Sequence, residues 1–164
     1  MSDGAKAKFV DYLSKGGGVA IIHFANGAFH FSLPNAAASD WPEYRKICRR
    51  VWDHTQGKSS HDPYGPFRVN LTELKHPITA GLGPFDTTDE LYFNQQGELP
   101  IEPLVTARSK ITGKDEPLAF AYSFGEGRVF QTLLGHDAVA IRAAGELIRR
   151  GCLWASGQPD KEKR

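Results

Sequence analysis

Six histidines, at positions 23, 30, 54, 61, 76 and 136, are the side chains best suited to chemistry at neutral pH. An imidazole titrates near neutrality, so it can take or give a proton or ligate a metal. All six fall in expected loops or at the ends of expected elements. Two stand apart. His23 closes an apolar run that follows Gly16-Gly17-Gly18, and His136 follows the run Arg128 to Leu134. Ligands of open α/β sheets sit beyond the carboxyl ends of strands. If these two strands run parallel, both imidazoles reach one rim. His61, in a long polar loop, can fold over the same rim. The other reading of each histidine, taken singly, is a ring that hydrogen-bonds a turn.

Other chemistry finds little local support. There is no HExxH and no paired CxxC, so zinc has no local motif. A dispersed site from His23, His61 and His136 is the one metal arrangement left open, and no other cofactor is expected. Gly125-Glu126-Gly127 joins two strands and is too short for a dinucleotide fingerprint. Gly16-Gly17-Gly18 precedes a strand and reads as a helix stop rather than a phosphate loop. No GxSxG elbow is present. Cys48 has no neighbouring base and reads as structural. Paired carboxylates for glycoside hydrolysis must face each other across a cleft, which spacing alone does not show. Trp41, Tyr44, Trp52, Tyr64 and Tyr92 cluster around the loops, where their faces can stack on a sugar or close the core.

The elements that position these residues follow from periodicity. Residues 3–15 place Ala5, Phe9, Tyr12 and Leu13 on one helical face, with Ser2 or Asp3 as cap and Gly16 as stop. Residues 19–24 form a strand buried on both faces, as in a parallel sheet. A loop covers 25–40, a helix with Pro42 in its first turn runs from about 41 to 51, and residues 53–66 form a long loop. Short strands are expected at 67–71, 90–93 and 104–107. Residues 118–123 and 128–134 flank a glycine turn and make a hairpin. Asp137 caps a helix to about Arg150, with Ile141, Ala144, Leu147 and Ile148 buried and Gly151 ending it. The chain opens on a helix where a βαβ unit would have a preceding strand. Either an N-terminal unit is missing or the helix simply caps the sheet; in the first case the strand at 19–24 has an uncovered edge that a second copy of the chain could cover.

The 164 residues suffice for one domain with a core, taken as 1–157, followed by a charged tail over 158–164. The net charge of +1 and the lack of a basic stripe argue against nucleic acid. No apolar run approaches the roughly 20 residues of a membrane span. Two cysteines make no disulfide framework, and no signal-peptide core is visible, so a cytoplasmic location is expected.

Taken in order, Gly16 to His23, Phe29, Trp41-Pro42-Glu43-Tyr44, His61 and His76-Pro77-Ile78-Thr79 resemble the trehalose-utilisation (ThuA-like) family. So do Gly81-Leu82, Asp89-Glu90-Leu91-Tyr92, Glu116-Pro117-Leu118, Gly125 to Phe130, Leu134-Gly135-His136 and Trp154-Ala155. The family is similar in fold to class I glutamine amidotransferases. The resemblance implies an α/β, flavodoxin-like three-layer sandwich with a mostly parallel sheet and a C-terminal hairpin. His23 then falls where an amidotransferase carries its nucleophilic cysteine, so no glutaminase activity is expected. The implied substrate is a small carbohydrate, a glycoside oxidised to a 3-keto sugar such as oxidised trehalose. A 3-keto group acidifies the adjacent C–H, so an imidazole can drive elimination or hydrolysis. His23, His61 and His136 are the expected catalytic residues. Asn26, Trp41, Tyr44, Asp89, Tyr92 and Asp137 are expected to bind the sugar. The alternative is a non-catalytic member that holds a sugar or a protein, or an inactive fragment.

Overall fold

The computed structural model describes residues 1–158, so the expected tail lies, from residue 159 on, outside the described residues. Helix α1 (Asp3–Ser14) begins at Ser2, whose hydroxyl accepts from the Ala5 N–H. Strand β1 (Gly18–Ile22) follows and breaks into a 3₁₀ turn over His23–Gly27. Two short helices come next, α2 (Ala36–Ser39) and α3 (Pro42–Ile47). Strands β2 (Ser60–His61), β3 (Gly65–Leu71), β4 (Phe85–Asp89), β5 (Tyr92–Phe93) and β6 (Pro103–Arg108) occupy the middle of the chain. The hairpin of β7 (Asp115–Phe124) and β8 (Gly127–Thr132) leads to α4 (Ala138–Ala143) and α5 (Gly145–Ser156).

Six strands form one sheet in the order β1-β8-β7-β6-β3-β4. Only β1 and β8 run parallel, from Gly18 opposite Arg128 to Ile22 opposite Thr132. Every other neighbouring pair in this sheet is antiparallel. The α/β class therefore holds, but the sheet is mixed and mostly antiparallel rather than mostly parallel. The cause is connectivity. Short links such as the turn between β7 and β8 allow only antiparallel neighbours, whereas β1 reaches β8 through most of the chain. A separate small ladder pairs β2 with β5 and sets His61 opposite Tyr92.

Both faces of β8 are covered. Phe130 points to α5, where the Cβ of any residue larger than glycine at 151 would lie 2.3 Å from its ring. Gln131 points the other way and donates to Cys48 Sγ and the Arg50 carbonyl. Two adjacent residues thus anchor the two outer layers. Leu118, Phe120, Phe130, Leu133 and Leu134 are buried at the centre of the core. Each contributes on the order of 1.5–3 kcal/mol by leaving water.

Several expected boundaries shift. The helix expected over 41–51 is only Pro42–Ile47, because Val51 leaves it to bridge Gln96. The strand expected at 90–93 is β4 ending at Asp89, then β5. The helix after Asp137 is broken at Ala144, and Gly151 lies inside α5 rather than after it. Ile141, expected in the core, is exposed. Among the described residues no helix is long and apolar enough to cross a membrane.

Candidate active site

The parallel register of β1 and β8 delivers His23 and His136 to the same rim. Their rings lie 5.4 Å apart, edge to face. His23 adopts φ +48°, a left-handed conformation that turns the chain sharply at the end of β1. Its Nδ1 lies 2.9 Å from the Leu133 carbonyl, which can only accept, so Nδ1 carries the proton. The Tyr92 hydroxyl then donates to Nε2 at 2.9 Å. Burial holds the His23 imidazole below the ordinary histidine range, against the pull of the Leu133 carbonyl and the Asp89 and Glu90 carboxylates. Burial thus favours the neutral ring. Burial, reinforced by the charges of Glu90 and Asp89, pushes the Tyr92 phenol up, so it stays a donor.

Glu90 is the residue at the centre. Its Oε2 stands 3.1 Å from His136 Nδ1 and 3.8 Å from His23 Nε2. Its Oε1 stands 3.8 Å from His61 Nε2. One carboxylate thus faces three imidazoles that come from the turn after β1, from β2 and from the loop after β8. His61 Nδ1 donates to the Asp62 carbonyl at 2.7 Å, which leaves the Nε2 lone pair for the cleft. The Asp62 carboxylate in turn accepts from Ser109 Oγ and from the N–H groups of Lys110 and Ile111, which fixes the segment that carries His61. His136 and His61 are partly exposed, whereas His23 lies behind them. Trp52 packs 4.6 Å from the Tyr92 ring and 6.0 Å from the His61 ring. Exposed Tyr64 lies 5.6 Å from the His136 ring.

The structure therefore brings together His23, His61, His136 and Tyr92 of the expected set. Of the other five, Asn26, Trp41, Tyr44 and Asp89 are buried, and Asp137 is half-buried beside His136. Asp89 is fully buried, and its carboxylate accepts from the backbone N–H groups of Glu90, Gly135 and His136 at 2.7–3.1 Å. It positions the segment bearing His136 and has no surface for a sugar. Asp137 caps α4 through Val139 and Ala140 and accepts from the Tyr64 hydroxyl. Trp41 and Tyr44 are core residues packed on each other and on Phe29. Asn26 is buried and donates to the Arg50 carbonyl and Gln95 Oε1. Glu90 is the functional candidate that spacing did not single out. The signal for it was alternation: Phe85, Thr87 and Asp89 share the inward face of β4, so the next residue turns away from it.

The trehalose utilisation (ThuA) family profile matches residues 1–155. The chain belongs to the ThuA family. A ThuA-like protein from Parabacteroides merdae ATCC 43184 is 28% identical, with a TM-score of 0.81 over 97% of this chain and 67% of that one. A ThuA-like protein from Bacteroides uniformis ATCC 8492 is 18% identical, with a TM-score of 0.67 over 94% of this chain and 64% of that one. This ThuA-family chain thus spans about two thirds of the length of those relatives. The β-galactosidase from Rahnella sp. R3 shares the fold over 96% of this chain and 21% of its own, at 11% identity and a TM-score of 0.60. No curated protein matches the chain.

Proposed function

We propose that this ThuA-family chain is a carbohydrate-processing domain that moves protons on a 3-keto glycoside, with elimination or hydrolysis of the glycosidic bond as the outcome. The observation that carries the reading is the single Glu90 carboxylate facing three imidazoles at 3.1–3.8 Å on one rim. His61 is the base, because its Nε2 lone pair is turned to the cleft and its other nitrogen is tied to a carbonyl. His136, paired with Glu90, is the donor to a departing oxygen. The His23–Tyr92 pair closes the rear of the site and feeds it a phenolic hydrogen bond. Trp52 and Tyr64 supply the aromatic faces that suit a sugar ring, in place of Trp41 and Tyr44.

The sharp corner at His23 also supports the amidotransferase-like comparison. A reactive residue on a strained strand-to-turn corner is presented at the top of a sheet. In that comparison the mixed sheet is one portion of a flavodoxin-like sandwich, and a cytoplasmic location suits a sugar-catabolic role.

The test is turnover of 3-keto-trehalose by the purified chain. Bond cleavage by the wild type, with rates at least about 100-fold lower for His61→Ala and Glu90→Gln, is the expected result, since positioned acid–base groups are worth this much. Rates unchanged in both variants would discard the mechanism. Saturable sugar binding with no turnover would favour a binding module instead.

A further inference from the structure

The geometry points to a divalent transition-metal site, of the kind that takes Zn²⁺, formed by His23, Glu90 and His136. One ring nitrogen from each imidazole and one Glu90 oxygen all lie within 4.8 Å of one another. Around one zinc ion with bonds of about 2.0–2.1 Å, tetrahedral ligand atoms stand about 3.3–3.4 Å apart. The separations from Glu90 Oε2, 3.1 Å to His136 and 3.8 Å to His23, lie on either side of that value, and the rings would close on a bound ion. Two imidazoles and one carboxylate are a donor set that borderline cations prefer, and three protein ligands leave a coordination position open.

The surroundings match a metal site independently of these distances. A ligating histidine is usually oriented by a hydrogen bond from its second nitrogen to a carbonyl or carboxylate. His23 makes this bond, Nδ1–H to the Leu133 carbonyl, and so keeps its lone pair on Nε2; the Tyr92 hydroxyl, which donates there, would turn away as an ion took its place. His136 is fixed through its main chain, since its N–H and that of Gly135 both donate to buried Asp89. The three ligands therefore rest on the turn after β1, on the end of β4 and on the segment after β8, a rigid frame for a cation. His61 stays outside the ligand set and keeps its role as base, whereas His136, with an ion bound, is a ligand and no longer the donor to the departing oxygen. The ion site rests on the rim of the carbohydrate reading but is defined by the side chains of the chain alone.

The experiment is titration of the full chain with ZnCl₂ by calorimetry, followed by Co²⁺ absorption spectroscopy, with no sugar present. One ion per chain is expected, with visible Co²⁺ bands of a four- or five-coordinate site. His136→Ala and Glu90→Gln should each weaken binding at least about tenfold, while Cys152→Ser, at an exposed thiol outside the ligand set, should leave it unchanged. Far-ultraviolet circular dichroism checks that each variant is folded. No stoichiometric binding, or binding lost with Cys152→Ser and kept in folded His136→Ala, would overturn the site. Metal binding without sugar turnover would leave the site standing and remove the carbohydrate mechanism, and the reverse result would do the opposite.

Discussion

Asp89 and Glu90 are adjacent, and they divide two tasks between them. Asp89 gives up all contact with solvent to hold three N–H groups, and Glu90 faces the imidazoles. Replacing one Asp89 oxygen with an amide sets donor against donor. Asp89→Asn should therefore lower stability by about 1–3 kcal/mol, read as a fall in melting temperature, although the residue touches no ligand. An unchanged melting temperature would show that the carboxylate is not needed there. The sequence made His23 and His136 legible because each ends a strongly apolar run, and strand ends are where sheets display functional groups. Asp89 was visible as a charged residue beside a strand, but not its burial, because two of the three N–H groups that satisfy it, those of Gly135 and His136, are 46 and 47 residues away. Trp41 and Tyr44 misled for a related reason. An aromatic residue in a polar neighbourhood looks the same whether it faces a sugar or Phe29.

Gly151 shows what an element conceals. A glycine after Arg149-Arg150 reads as a helix stop, yet α5 continues through it to Ser156. The residue is small because the Phe130 ring occupies the space its Cβ would take, 2.3 Å away. Gly151→Ala should cost about 1–3 kcal/mol by overpacking, even though alanine is the better helix former. A double variant with Phe130→Leu should recover part of that loss, and denaturant unfolding of the four species would measure the coupling. Full additivity would mean that the two positions do not touch. The hairpin, α1 and the cap at Asp137 were readable because their signals are local. The split at Ala144 and the brevity of α3 were not, because they depend on what the chain packs against.

At the scale of the molecule, parallel and antiparallel strands covered on both faces carry the same apolar pattern. The reading of a mostly parallel sheet failed on that ambiguity, while the one pairing that matters for the site, β1 with β8, is indeed parallel. The core also sets a pH response away from the site. His76 Nδ1 accepts from the Ile78 N–H, and its ring lies 5.1 Å from Trp154. Burial holds this imidazole below the ordinary histidine range, so the folded state favours the neutral ring. Its contribution to stability is present above about pH 6.5, the unfolded value, and is lost as pH falls through the lower folded value. His76→Asn keeps an acceptor and removes the titration. Its melting temperature should fall less steeply than that of the wild type between pH 7 and pH 5. Parallel slopes would rule out His76 as the cause.

The left-handed backbone at His23 has a bearing on how the whole site is dissected. The native histidine already bears this backbone cost, which alanine would keep and glycine would relieve, so His23→Gly mixes a main-chain gain with the loss of the imidazole. His61 and His136, which carry no such conformational burden, are the cleaner places to ask what the imidazoles do.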